Sequence, residues 1–136
     1  NSFPFPVWTR NSELQISNCN EAYLKATHAE NLNEVVNSNI ELVYDQDPRQ
    51  AKVFASRVRS AGKMKMINEY AVMSGKRRRV EVFEIPLPDR QTFGFVNDIT
   101  PLQEALDEMK AAGLDAEIIG NVSEKKDYPI YLRGIV

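Results

Sequence analysis

The sequence predicts an α+β fold: a five-stranded antiparallel sheet, helices packed on one of its faces, and a C-terminal connector helix. Three observations predict it. Strand-like runs at residues 64–73, 78–87 and 92–99 are joined by turns around Ser74-Gly75-Lys76 and Pro88-Asp89-Arg90, the pattern of an antiparallel meander. Two shorter runs, 7–10 and 14–17, flank the polar turn Asn11-Ser12-Glu13 and supply a hairpin before the helices. Helical periodicity then fills the middle of the chain and returns directly after the last strand.

Each element has its own signals. Residues 1–6, with two prolines and two phenylalanines, form an extended lead-in whose rings can pack on the domain. Asn20 is placed to cap a short helix from Glu21 to about Thr27, with Glu21 complementing the positive end of the dipole and Ala22, Tyr23 and Ala26 inside. Residues 28–46 are rich in Asn and Glu and predict only one or two weakly specified helical turns. The strongest helix runs between Asp47-Pro48, a cap and a proline at the first helical position, and the stop at Gly62. Ala51, Phe54, Ala55 and Val58 give it one buried stripe. Within the meander, alternation puts Tyr70 with Val72, Val80 with Val82, and Phe93 with Phe95 on common faces of their strands. The final helix, 101–112, starts on a proline and stops at Gly113, with Leu102, Leu106 and Met109 on one side and Glu104, Asp107 and Glu108 outside. Residues 113–136 are a tail, either the start of a next module or an extension, and its breaks at Gly113, Gly120 and Pro129 argue against a continuous coiled coil.

The totals bound the function. A chain of 136 residues with 43% apolar and 26% charged residues fits one domain, here residues 1–112 with the connector helix included. Seventeen basic against nineteen acidic residues leave a net charge of -2, which argues against nucleic acid and against an anionic lipid surface as partners. One cysteine, Cys19, makes no internal disulfide, and together with a single histidine it is a poor ligand stock for zinc. No apolar run approaches the roughly 18–20 residues of a membrane span, so this stretch is expected to make no membrane contact and to work in the cytoplasm. Starting on Asn1, the chain is expected to be part of a longer polypeptide whose effector domain follows.

Three stretches carry a family resemblance. Pro6-Val7-Trp8-Thr9-Arg10, the Asn20-Glu21-Ala22-Tyr23 helix start, and the closing Gly-Phe-Val-Asn-Asp-Ile-Thr of residues 94–100 occur in the right order and spacing to resemble the PAS domain family of intracellular sensors, over about residues 5–112. With Gly75-Lys76-Arg77-Arg78 and Glu84-Ile85-Pro86-Leu87, the chain most resembles the PAS modules of bacterial sensor histidine kinases. The resemblance implies a cupped sheet, a pocket between its concave face and the helices, and a signal that leaves through the helix after Asp98-Ile99-Thr100. Asp98 or Thr100 can cap that helix, so a shift of the last strand would change its anchoring; an ordinary cap without switching stays open. Asp98, Thr100, Leu102 and Leu106 are the relay candidates, and Leu102, Leu106 and Met109 can pair with their copies in a homodimer.

Side chains expected to line the pocket are Tyr23, Phe54, Val58, Tyr70, Val72 and Phe83, a set suited to a small apolar guest or to a filled core. No cofactor is named by these residues. The flavin-reactive cysteine of light-sensing relatives is missing from its helix, and the helix before the third strand holds no histidine, so neither flavin nor haem is expected. Cys19 and His28 are the nucleophile and base of a competing enzyme reading, which lacks an orienting third group; the expectation is no catalysis. Asp45-Gln46-Asp47 lacks the further oxygen ligands of a calcium loop, and residues 76–79 read as a solvated basic hairpin tip rather than a phosphate cradle. A ligand-free module that docks another domain through its sheet face or its basic turn is the remaining alternative.

Overall fold

The computed structural model describes residues 4–113. The predicted tail at 114–136 and the first three residues of the lead-in lie outside them. The elements run β1 (Val7–Arg10), β2 (Ile16–Cys19), α1 (Glu21–Thr27), α2 (Leu32–Ser38), β3 (Val43–Tyr44), α3 (Gln50–Ala61), β4 (Lys65–Met73), β5 (Lys76–Pro86), a single 3₁₀ turn (Pro88–Arg90), β6 (Thr92–Asp98) and α4 (Thr100–Ala111). The sheet is wholly antiparallel, in the order β2-β1-β6-β5-β4-β3.

It therefore has six strands, not five. The extra one, β3, is only two residues long and pairs Val43 with Val72 and Tyr44 with Ala71. A run that short carries no alternation to detect, and it follows the polar stretch that yields α2. Several boundaries also moved: β4 starts at Lys65, β5 runs from Lys76 to Pro86, β6 ends at Asp98 and α4 runs from Thr100 to Ala111, and two further shifts have a local cause. β2 starts at Ile16 rather than Leu14, because Asn11 accepts hydrogen bonds from the amides of Glu13 and Gln15 and the turn carries Leu14 into the left-handed region, at φ 66°, with its side chain buried. α3 starts at Gln50, with Arg49 at its cap position and no side-chain cap bond. Asp47 instead pairs as a bridge with Tyr44, and its carboxylate accepts from the Arg49 amide at 3.0 Å.

Other local signals act as written. Asn20 accepts from the Tyr23 amide at 3.0 Å and caps α1. Its side chain also accepts from Val7 N at 3.0 Å and donates to the Phe5 carbonyl at 2.8 Å, so one residue fixes the helix start, the first strand and the lead-in. Ser74 and Gly75 both take positive φ, 53° and 77°, in a two-residue turn that closes Met73 onto Lys76.

The sheet's inner face presents Trp8, Tyr44, Ala71, Met73, Val80, Val82 and Val96 to Tyr23, Val35, Phe54 and Val58 from the helical side. α3 crosses β5, α1 lies against β4 and β1, and α2 meets β2. Each fully buried aliphatic or aromatic side chain there contributes about 1.5–3 kcal/mol, and this one-sided burial holds the helices to the sheet. Residues up to Thr100 form one compact unit. α4 belongs to the next and is described by itself: Leu102, Leu106 and Met109 fall on one stripe, and Gly113 follows at φ 84°, the left-handed conformation that stops a helix.

Candidate functional site

The end of β6 and its neighbour β5 form a densely bonded junction. Asp98 divides its carboxylate: Oδ1 accepts from the Thr100 amide at 2.9 Å, and Oδ2 accepts from Arg78 Nε at 2.8 Å. Thr100 turns its hydroxyl back to β5, where Oγ1 accepts from the Arg79 amide at 2.8 Å, and Ile99 N donates to the Arg79 carbonyl at 2.8 Å. Arg78 and Arg79 thus hold three successive residues at the start of α4. The sequence allowed either Asp98 or Thr100 as the cap. The structure gives the helix-start amide to Asp98 and uses Thr100 as a strand clamp. Burial alone would raise the Asp98 carboxyl, but hydrogen bonds from Thr100 and the charge and hydrogen bond of Arg78 outweigh it and leave it below the usual carboxylate range.

Beneath the sheet lies a second polar constellation. Glu84 Oε2 accepts from Trp8 Nε1 and Arg10 Nε, both at 3.3 Å, and from Thr92 Oγ1 at 2.7 Å. Arg10 also forks onto Glu41, at 2.9 and 2.7 Å, and donates to the Leu14 carbonyl at 2.9 Å. Arg10 and Glu84 are each only 1% exposed. Burial lowers the Arg10 guanidinium, yet Glu41 and then Glu84 more than compensate and keep it charged. Burial likewise pushes the Glu84 carboxyl up, partly offset by Arg10, Thr92 and Trp8. Sequence reasoning missed this cluster, although a signal exists: Arg10 is in phase with buried Trp8, and Glu84 with buried Val80 and Val82.

The six expected pocket residues do not come together. Tyr23, Phe54 and Val58 lie in the interior, where Tyr23 donates to the Ile40 carbonyl at 2.8 Å. Tyr70, Val72 and Phe83 lie on the opposite face of the sheet, because in β4 and β5 it is Ala71, Met73, Val82 and Glu84 that point inward. Tyr70 sits under the guanidiniums of Arg77 and Arg79, at 3.7 and 4.8 Å from its ring centre, and Phe83 stacks on Phe95 at 4.7 Å. Trp8 is buried in the core and lies over the backbone of Gly94. A Cβ on Gly94 would lie 2.4 Å from the Trp8 ring, so only glycine fits there. The Tyr44 hydroxyl is buried with no hydrogen-bond partner among the described residues.

Cys19 and His28 stand beyond opposite ends of α1, a seven-residue helix about 10 Å long. Burial pushes the Cys19 thiol up, away from an activated thiolate, and His28 serves as the left-handed C-cap of α1 with its ring near Gly75. Among the described residues no group of three or more His, Cys, Asp or Glu could hold a metal ion. Among them, too, no helix is long and apolar enough to cross a membrane.

No protein-family model matches the chain, and no curated protein matches it. Solved structures do. The PAS domain of Bordetella pertussis BvgS superposes with a TM-score of 0.52 at 24% identity, over 82% of this chain and 84% of that one. The phage VqmA–DPO complex superposes with a TM-score of 0.57 at 13% identity over 83% of this chain; the match spans 55% of that chain, little more than half its length. This is the PAS fold, with its antiparallel sheet and its helices on one face.

Proposed function

We propose that this domain is a PAS sensory and dimerisation module of a bacterial signalling protein, of the sensor histidine kinase type, working in the cytoplasm and passing changes at its pocket or interface to α4. The observation that carries this reading is the divided carboxylate of Asp98, which ties β5, through Arg78, to the first amide of α4. A displacement between β5 and β6 cannot keep both bonds, so it redistributes the anchoring of the helix. Likeness to the BvgS PAS domain supports the signalling context. The stripe of Leu102, Leu106 and Met109 supplies the seam for a second copy, and the output domain of the same polypeptide receives the change.

The VqmA neighbour is a complex with DPO, and a small guest is the input this reading assigns to the present domain. The closed packing of Trp8 over Gly94 and the saturated Arg10–Glu84 pair favour a second version, in which the module is ligand-free and its input is a protein contact. The separation of Cys19 from His28 and the raised thiol support a role without catalysis.

Hydrogen exchange on the 136-residue chain tests the relay. Asp98→Asn should speed exchange of the first-turn amides of α4 while β1 and β4 stay protected; unchanged first-turn protection would remove the basis for the relay. Sedimentation decides the dimer, and a strict monomer at high concentration counts against that part. Native mass spectrometry of fresh protein separates the versions with and without a guest.

A further inference from the structure

A groove of about 380 Å³ opens between the lead-in, α1 and the β4–β5 hairpin. Its volume falls within the roughly 300–1,000 Å³ of small-molecule sites. Phe5, Pro6, Ala26 and Met73 make the walls apolar. The lead-in wall is fixed in place, since Asn20 donates to the Phe5 carbonyl at 2.8 Å and accepts from Val7 N.

The rim has one sign of charge to spare. Lys25 from α1 and Lys76 and Arg78 from β5 line the groove together with Asp98. Asp98 is already engaged by Arg78, at 2.8 Å. Neither lysine has an ion-pair partner among the described residues. An apolar slot with two uncommitted ammonium groups at its edge is complementary to a compact molecule with an apolar body and one anionic head. A neutral guest would leave the lysines unanswered, and a bare inorganic anion would leave the walls wet.

We infer that this groove is a binding site for a small organic monocarboxylate with an aromatic or short aliphatic body, its carboxylate held between Lys25 and Lys76 and its body against Phe5 and Met73. The site shares Ala26 and Met73 with the edge of the core and Arg78 and Asp98 with the proposed relay, but its two lysines belong to neither.

The test is a titration of the ¹⁵N-labelled 136-residue chain with benzoate and with hexanoate. Saturable shifts confined to amides near residues 5, 22–26 and 73–78 are expected. Benzyl alcohol and hexanol, which lack the charge, and acetate, which lacks the body, should bind at least about tenfold more weakly. Lys25→Gln with Lys76→Gln should weaken benzoate by about tenfold with the melting temperature unchanged, since both side chains are exposed and unpaired. The inference is overturned if the alcohols bind as well as the acids, if acetate does, if the shifts map to core residues away from the groove such as Val58 and Val82, or if nothing saturates by about 10 mM. Binding of an acidic peptide with no response to benzoate or hexanoate would also overturn it, and would make the groove a protein-docking site.

Discussion

Two arginine–carboxylate pairs in this domain use the same chemistry in opposite surroundings. Arg10–Glu84 is sealed, at 1% exposure on both sides, whereas Arg78–Asp98 keeps about a third and a quarter of its side-chain surface in water, 32% and 24%. In the sealed pair burial is the dominant influence on the carboxylate and raises it. In the open pair hydrogen bonds outweigh burial and lower it. A sealed pair cannot exchange partners without exposing a charge to a dry interior, so it fixes β1, β5 and the helical side as one frame. An open pair can trade Arg78 for water at small cost. Rearrangement therefore belongs at the end of β6, where the proposed relay lies.

Breaking the sealed pair should have the largest effect. Glu84→Ala leaves Trp8, Arg10 and Thr92 without their shared acceptor and should cost about 3–5 kcal/mol in urea unfolding. A loss below about 1 kcal/mol would mean that the pair is not part of the frame. Gly94→Ala attacks the same frame from the backbone side and should cost about 1–3 kcal/mol, because the Trp8 ring that it strikes is pinned by Glu84. Combining it with Trp8→Phe should cost less than the sum of the two single changes, since the smaller ring makes room.

The open pair should respond more gently. Asp98→Asn and Thr100→Val should each cost about 1 kcal/mol in the same unfolding measurement, with the difference from Glu84→Ala as the informative quantity. The two pairs should also pull in opposite directions with pH. Asp98 is lowered in the fold, so its contribution is present above its ordinary value of 3.8 and is lost as pH falls below it. Glu84 is raised, so the fold takes up a proton more readily than the unfolded chain, and stability is lost as pH rises from the ordinary value of 4.5. Thermal melts across the acid range should show the first slope missing from Asp98→Asn and the second from Glu84→Gln. The smallest change is expected at the unpartnered hydroxyl: Tyr44→Phe should be neutral or stabilise by up to about 1 kcal/mol, and a clear loss would show that the hydroxyl has a partner in solution.

The strand-to-helix exit was legible because its determinants are local. Asp98, Ile99 and Thr100 are adjacent, they follow a strand and precede a proline-led helix, and capping chemistry acts over two or three residues. The interior was not, because the bonds among Trp8, Arg10, Glu41, Glu84 and Thr92 span up to 76 positions and exist only once β1, β5 and β6 are in register. The expected pocket split for a related reason: aromatic character drew attention to Tyr70 and Phe83, while the phase of each strand, set by its partners, turned them outward.

The sequence by itself determined the order and kind of the long elements, the cap at Asn20, the Ser74–Gly75 turn and the position of the strand-to-helix exit, all of which rest on interactions between near neighbours. Tertiary structure alone decided that a charged pair would be sealed beneath the sheet, that Gly94 would yield its space to Trp8, and that a groove rimmed by lysines would open beside the lead-in. The physical reason is the same for all three: burial and charge pairing depend on which distant side chains the sheet register brings face to face, and one sequence read locally contains no record of that distance.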